Sequence, residues 1–546
     1  MRWGRRLGLA AAPLVAAALL LWATARSETE SLSRPPVAPG AGAPARGAAA
    51  FAGAGFGGVG MDALETNAVP WRLVAAALVL DERARDPAAR LDRATLDRIL
   101  RRFGFLPGAA IVNAPAGVGP RNSELPLGFT HGDLAPVGGA RVRVANLGCA
   151  ACHAGVTYAA DGTPRPDRAM LGMPNSSIDL EAYTLAVFRA MRRFAGSDRL
   201  LPAAARLFPE MGWRERQTMR FLVLPLAKRR LAALEGSERP LPFPNGAPGS
   251  TNGVAALKAA LRVPLAGGGA EDSGVVSIPD LGDRIWRTSL LADGAYAVPG
   301  RPRNSPTTAG ALDRRHLRRL AEIMTFFTVP SMGVHPQAAL GHIDDATDIM
   351  AFLKTYRPQP FPGPVDLAAA AKGRTVYAAA CAACHGSYDA SVAQPRLIRF
   401  PNWIGGVGTD PLRATLFDAA LAAAVGRTAY RDRIAAASGG GYAAPPLAGL
   451  WASAPYLHNG SVPTLAALLS PGERPARFLV GGHALDFDAV GLRLAPDGAY
   501  PPGYRPFSVP AWIDTRAPGR GKDGHRFGET LPPEQKRQLI EYLKRL

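Results

Sequence analysis

The chain has 546 residues, is 47% hydrophobic and 20% charged, and carries a formal net charge of +19. Its length exceeds what one hydrophobic core holds, and its apolar content excludes a wholly disordered chain. The charge alone would suit nucleic acid, but only seven of the 63 basic residues are lysine, and the arginines are scattered through an Ala-, Gly- and Pro-rich background rather than set in a stripe. A solvated basic surface is the plainer reading, with an acidic partner or anionic lipid as its functional counterpart.

In chain order, Arg2, Arg5 and Arg6 precede an almost wholly apolar run, Leu7 to Ala25, that ends in Ala23-Thr24-Ala25. This is the pattern of a secretory signal over residues 1–26, and its 19-residue apolar length also suits an uncleaved anchor. The expectation is a periplasmic or secreted body, with the membrane reached only through that segment. Residues 27–60 are Ala, Gly and Pro with few large apolar side chains and read as a disordered linker. Helical stretches are predicted at about 92–103, 179–195, 214–234 and 312–327, separated by Gly- and Pro-rich breaks. Tyr356-Arg357-Pro358-Gln359-Pro360-Phe361-Pro362-Gly363-Pro364 is too proline-dense for helix or central strand and marks a boundary between domains at 61–357 and 365–546. The second opens with a helical run, Ala368 to Ala380, bearing Gly373 and Tyr377. It closes with a helix whose apolar face is Leu539, Ile540, Leu543 and Leu546. The fold expectation is mainly α: two cytochrome c-like domains with long loops, the N-terminal one enlarged.

Every cysteine falls in one of two Cys-x-x-Cys-His motifs, Cys149-Ala150-Ala151-Cys152-His153 and Cys381-Ala382-Ala383-Cys384-His385. This is the attachment signature of c-type haem: both thiols add to the haem vinyl groups, and the adjacent imidazole is the proximal iron ligand. Two disulfides would leave the repeated histidine unexplained. Zinc knuckles stand about 15–20 residues apart, whereas 228 residues separate Cys152 from Cys381. A thioredoxin-like pair needs no following histidine. Two covalently bound haems are therefore expected, with His153 and His385 as iron ligands.

The sixth iron position decides between electron transfer and chemistry. All ten methionines lie at or before Met350, so the C-terminal domain must use His458, His483, His525 or a rarer ligand such as Tyr. His458 is preferred, because the Asn459-Gly460 turn beside it can direct the imidazole inward. It thus joins His153 and His385 as the third expected metal ligand. For the N-terminal haem, Met170, Met173, Met324, Met332, His316, His335 and His342 are all available, and an open iron fits equally.

The stretch from Pro445-Pro446-Leu447 through Trp451 to Ala454-Pro455-Tyr456-Leu457-His458-Asn459-Gly460-Ser461 resembles the distal-ligand segment of the dihaem cytochrome c peroxidase and MauG superfamily, nearest to its rubber-oxygenase-like branch. Supporting segments are Gly172–Asp179, Ser277-Ile278-Pro279-Asp280-Leu281 and Gly524-His525-Arg526-Phe527-Gly528. The resemblance implies a reactive, high-spin haem on His153 and a six-coordinate, electron-storing haem on His385 and His458. It further implies peroxide or dioxygen as reactant and a small redox protein as electron donor or acceptor; the competing reading is a non-catalytic electron-transfer dihaem cytochrome. Some relatives hold calcium between the domains, which no residue marks here. The superfamily commonly places a Trp before an Asp-Gly pair as an inter-haem bridge. Here Leu291-Ala292-Asp293-Gly294 has Ala at that place, and Trp286 is the substitute at hand. No catalytic residue is identified by the sequence.

Overall fold

The computed structural model describes residues 33–54, 69–122, 125–137, 140–265, 274–331, 335–389 and 394–546. The signal or anchor segment lies outside the described residues, as does Met332. The fold is mixed α/β, with 39% helix and 15% strand in many small sheets, which corrects the mainly α expectation. Much of the strand content surrounds the first Cys-x-x-Cys-His motif. Strand Ala140–Leu147 pairs antiparallel with Phe129–Val137, Phe129 opposite Leu147, and also takes up Val69–Pro70. Val142 and Val144 alternate with half-buried Arg143, a period of two that suits a pleat and not a helix. On the other side of the motif, Ala154–Tyr158 pairs with Pro164–Leu171, which takes Ala110–Ile111 as a parallel third strand.

The expected linker is ordered where it is described. Ala43–Ala49 is a helix that continues into a π turn, Ala50–Ala54. Small residues allow this: a Cβ on Gly47 would stand 1.9 Å from the carbonyl oxygen of Asp348, so only glycine lets this helix lie against Ile343–Thr355. Burial follows from close backbone approach, which an Ala/Gly composition permits while looking featureless in sequence.

The predicted helices appear as Arg93–Arg102, Leu180–Phe194, a rod from Trp213 to Ala232, and Arg314–Ser331. In the C-terminal half, Leu367–Ala380 and Pro533–Leu543 cross in close contact. Gly373 sits at the crossing, where a Cβ would meet the carbonyl oxygen of Gln538 at 1.8 Å. Tyr377 packs on Tyr542 with ring centroids 5.2 Å apart. The largest core runs across the proline-rich stretch: Tyr158, Trp286 and Tyr296 from one side join Tyr377, Trp451 and Tyr456 from the other. Phe361, within the stretch, packs edge-on to Trp451. A second core, built on Trp71–Arg85 and Leu180–Phe194, belongs to the N-terminal half alone.

Candidate haem centres

Each motif forms a short helical turn, Cys149–His153 and, after Cys381, Ala382–His385. The first turn lies on Gly128, whose φ is +93° and whose Cβ would stand 2.5 Å from the Cα of Ala151. Burial raises the thiols of Cys152, to about 12, and Cys381, to about 11.

The two histidines are oriented in the same way. His153 Nδ1 lies 3.2 Å from the carbonyl oxygen of Pro279, and His385 Nδ1 lies 2.8 Å from that of Pro445. A carbonyl only accepts, so Nδ1 carries the proton in both rings and Nε2 is left with its lone pair, the form that binds a metal. Burial depresses both imidazole pKa values, that of His153 to about 4, which keeps the rings neutral. These prolines lie in the segments Ser277–Leu281 and Pro445–Leu447 singled out above.

The ring that faces His385 is that of His525. Their centroids are 6.2 Å apart with planes inclined at 58°. Two imidazoles that share one metal through one nitrogen each stand about 6 Å apart, given metal–nitrogen bonds of about 2 Å. His525 has φ +46°, a backbone state uncommon outside glycine. Three contacts hold it there. Its N–H donates to the Val407 carbonyl at 2.7 Å, and the buried Arg474 donates to the carbonyls of Gly524 (2.8 Å) and His525 (3.4 Å). Gly524 passes so near Gly408 and Thr409 that a Cβ would come within 2.2 Å. Burial and the neighbouring His385 hold His525 down to about 4, and its Nδ1 is buried without a partner.

His458 is placed differently. Its ring stacks on Tyr442, centroids 3.9 Å apart at 19°, and its Nε2 is buried without a hydrogen bond. Leu457 has φ +66°, and Ser277 grips the loop by donating N–H to the His458 carbonyl at 2.7 Å. The loop is thereby tied to the segment that orients His153. Burial first, then Arg413, lowers His458 to about 3. His483, the third candidate, is buried with Nε2 3.4 Å from the hydroxyl of Tyr158.

Around His153 the candidates separate. His316 uses both ring nitrogens, Nε2 towards the Ile285 carbonyl at 2.7 Å and Nδ1 towards Arg301 at 3.4 Å. His335 caps the turn Pro336–Ala339 by accepting from Gln337 N–H. Met173 is a core residue, and Met170 and Met324 pack on the core. His342 ends the turn Leu340–His342. Sequence reasoning missed His131, which is fully buried between Trp71 and Phe129 with neither ring nitrogen partnered. Its signal was its place on the alternating strand Phe129–Val137.

The turn Arg284–Trp286 carries a charge felt by both motif histidines. The charge of Arg284 depresses both His153 and His385, so it stands near each. Burial lowers Arg284 to about 10 and Arg287 to about 9. Among the described residues neither is in an ion pair; they donate to the carbonyls of Asp280 and Leu291. Guanidinium groups held in a desolvated turn without an ion pair match an anionic cofactor edge such as haem propionates. Trp286 is buried on this turn. Asp293, from the segment lacking the bridging Trp, forms a buried ion pair of 2.6 Å with Arg413. Among the described residues, no three His, Cys, Asp or Glu side chains converge as a metal-holding group. Haem c asks less of the protein: two thiols, a neutral imidazole and room for an anionic edge.

Residues 441–479, which include Tyr442 and the His458 loop, match the family model described as RoxA-like, cytochrome c-like. This match supports a relationship to that cytochrome c family, and with it haem c binding and a haem c oxidoreductase-like role. Two proteins of Sinorhizobium fredii are similar. Uncharacterized protein y4iJ is 32% identical over 256 residues, covering 35% of this chain and 41% of the relative. Uncharacterized protein y4iM is 35% identical over 173 residues, covering 27% of this chain and 38% of the relative. The chain thus spans about two fifths of the length of these curated relatives.

Proposed function

We propose that the protein is an exported dihaem c-type cytochrome that activates peroxide or dioxygen at a haem on Cys149, Cys152 and His153. A second haem, on Cys381, Cys384 and His385, stores and passes electrons. The observation that carries this division of labour is the asymmetry between the two motifs. Both histidines keep Nε2 for a metal by giving Nδ1–H to a prolyl carbonyl. Among the described residues, a second imidazole, that of His525, stands beside His385, and none is found in ring contact with His153. A bound haem supplies one-electron chemistry and, where a coordination position is open, binding of peroxide or dioxygen.

The chain's own residues orient, neutralise and exclude water. Pro279 and Pro445 fix the ring tautomers, Arg284 and Arg287 would offer charge to propionates, and burial holds the imidazoles of His153, His385 and His525 neutral. Trp286, on the same turn as Arg284, would relay electrons between the centres in place of the missing tryptophan. His458 is the alternative sixth ligand of the second haem, a reading favoured by its orphaned Nε2. An electron donor or acceptor, a small redox protein, completes the cycle.

Optical and EPR spectra of the purified protein test the proposal. The expected result is one high-spin and one low-spin ferric haem, with carbon monoxide binding one haem in two after reduction. Two low-spin haems and no carbon monoxide binding would leave a pure electron carrier.

A further inference from the structure

One helical element takes no part in the haem centres. The rod Trp213–Thr218, π turn Met219–Val223 and Leu224–Ala232 runs about 30 Å. Of these residues only Met219 is buried, while Val223, Leu224 and Leu231 lean on the second core. The π turn fits one extra residue into the helix and so resets its phase. Leu224 and Leu231 thereby fall on the same inner side as Met219. The outward side carries large apolar groups: Trp213 is 71% exposed, Phe221 70% and Leu226 38%.

Its charge is nearly all of one sign. Arg214, Arg216, Arg220, Lys228, Arg229 and Arg230 are exposed, against a single acidic residue, Glu215, which is ion-paired inward to Arg72. Among the described residues, Arg214, Arg220, Lys228, Arg229 and Arg230 make no ion pair. The guanidinium of Arg220 lies 5.5 Å from the centroid of the Phe221 ring, leaving the charge beside the apolar surface.

A second copy of the chain would set these cations against each other, and an uncharged apolar partner would strand them. Aromatic and aliphatic side chains flanked by Arg and Lys suit a surface that is greasy below and anionic above. We propose that the outward side of Trp213–Ala232 is an interfacial helix that docks the protein on an anionic phospholipid bilayer. Trp213, Phe221 and Leu226 enter the headgroup boundary while the arginines pair with lipid phosphates.

Hydrogen–deuterium exchange of the full chain, read peptide by peptide, localises the contact whether or not another segment also reaches the membrane. With phosphatidylglycerol-containing vesicles, exchange should slow over 213–232, and with phosphatidylcholine alone it should not. W213S/F221S/L226S should abolish that protection. R220Q/K228Q/R229Q should weaken it about 100-fold in lipid concentration, and added salt should do likewise. Unchanged haem absorbance in both variants shows that they fold. Equal protection with both lipids, or none over 213–232, overturns the proposal. So does protection that grows with protein concentration without vesicles, which would assign the surface to a second copy.

Discussion

The two Cys-x-x-Cys-His motifs are alike in sequence and sit in unlike surroundings. The first is a single turn between two small sheets, with Ala140–Leu147 before it and Ala154–Tyr158 after it. The second follows a long helix that crosses the chain's final helix. Both histidines are nevertheless oriented by the same device, a prolyl carbonyl on Nδ1. The device is the same although each carbonyl comes from a segment distant in sequence, whereas the ring beside His385, that of His525, has no counterpart in ring contact with His153 among the described residues. Under the proposed division of labour, electron transfer and chemistry would be assigned by what packs around a motif and not by the motif itself.

The sharpest way to break this comparison is to remove the ring that distinguishes the sites. His525→Ala should open the second haem, raising carbon monoxide binding from one to two per reduced protein. His458→Ala should leave it at one. The reverse outcome would transfer the ligand to His458.

A matched pair of glycine substitutions separates the two surroundings. Gly373→Val forces a side chain against Gln538 at the helix crossing, and Gly128→Ala strains a φ of +93° against Ala151. Each should cost about 3 kcal/mol in chemical denaturation. Gly373→Val should disturb the spectrum of the second haem and Gly128→Ala that of the first. Equal disturbance of both haems by either variant would mean that the shared core makes the two settings one.

A smaller effect belongs to the first setting. Burial among aromatic rings depresses His131 from 6.5 to about 3. Between those values the unfolded chain binds the proton and the folded chain does not, so stability rises with pH and is lost as the solution is acidified below 6.5. From pH 7 to pH 5 this amounts to about 2 kcal/mol. His131→Phe should remove that part of the acid sensitivity in denaturation curves at the two pH values. An unchanged pH slope would place the sensitivity elsewhere.

Much of the helical content was legible. The runs at 92–103, 179–195 and 312–327 carry strong apolar periodicity, and Gly373 and Tyr377 mark the helix crossing. The strands around the first motif were not called, although Val142 and Val144 alternate, because they are short and bounded by sheet partners distant in sequence. The linker expectation failed over its described part for the opposite reason. Residues 43–54 offer only Phe51 as a large apolar side chain, yet glycine and alanine let the backbone itself pack, a stabilisation that hydrophobicity patterns do not register.

By itself the sequence carried the case for covalent haem attachment: four cysteines and two adjacent histidines in a spacing that the haem attachment geometry explains. It also limited the sixth ligand of a haem on His385 to His458, His483, His525 or a rarer group. Only the tertiary structure chose which of those rings faces His385 and set Arg284 near both centres. That choice rests on loop paths fixed by Arg474, Gly524 and Ser277 through backbone carbonyls and close contacts, and such interactions leave no periodicity in a sequence.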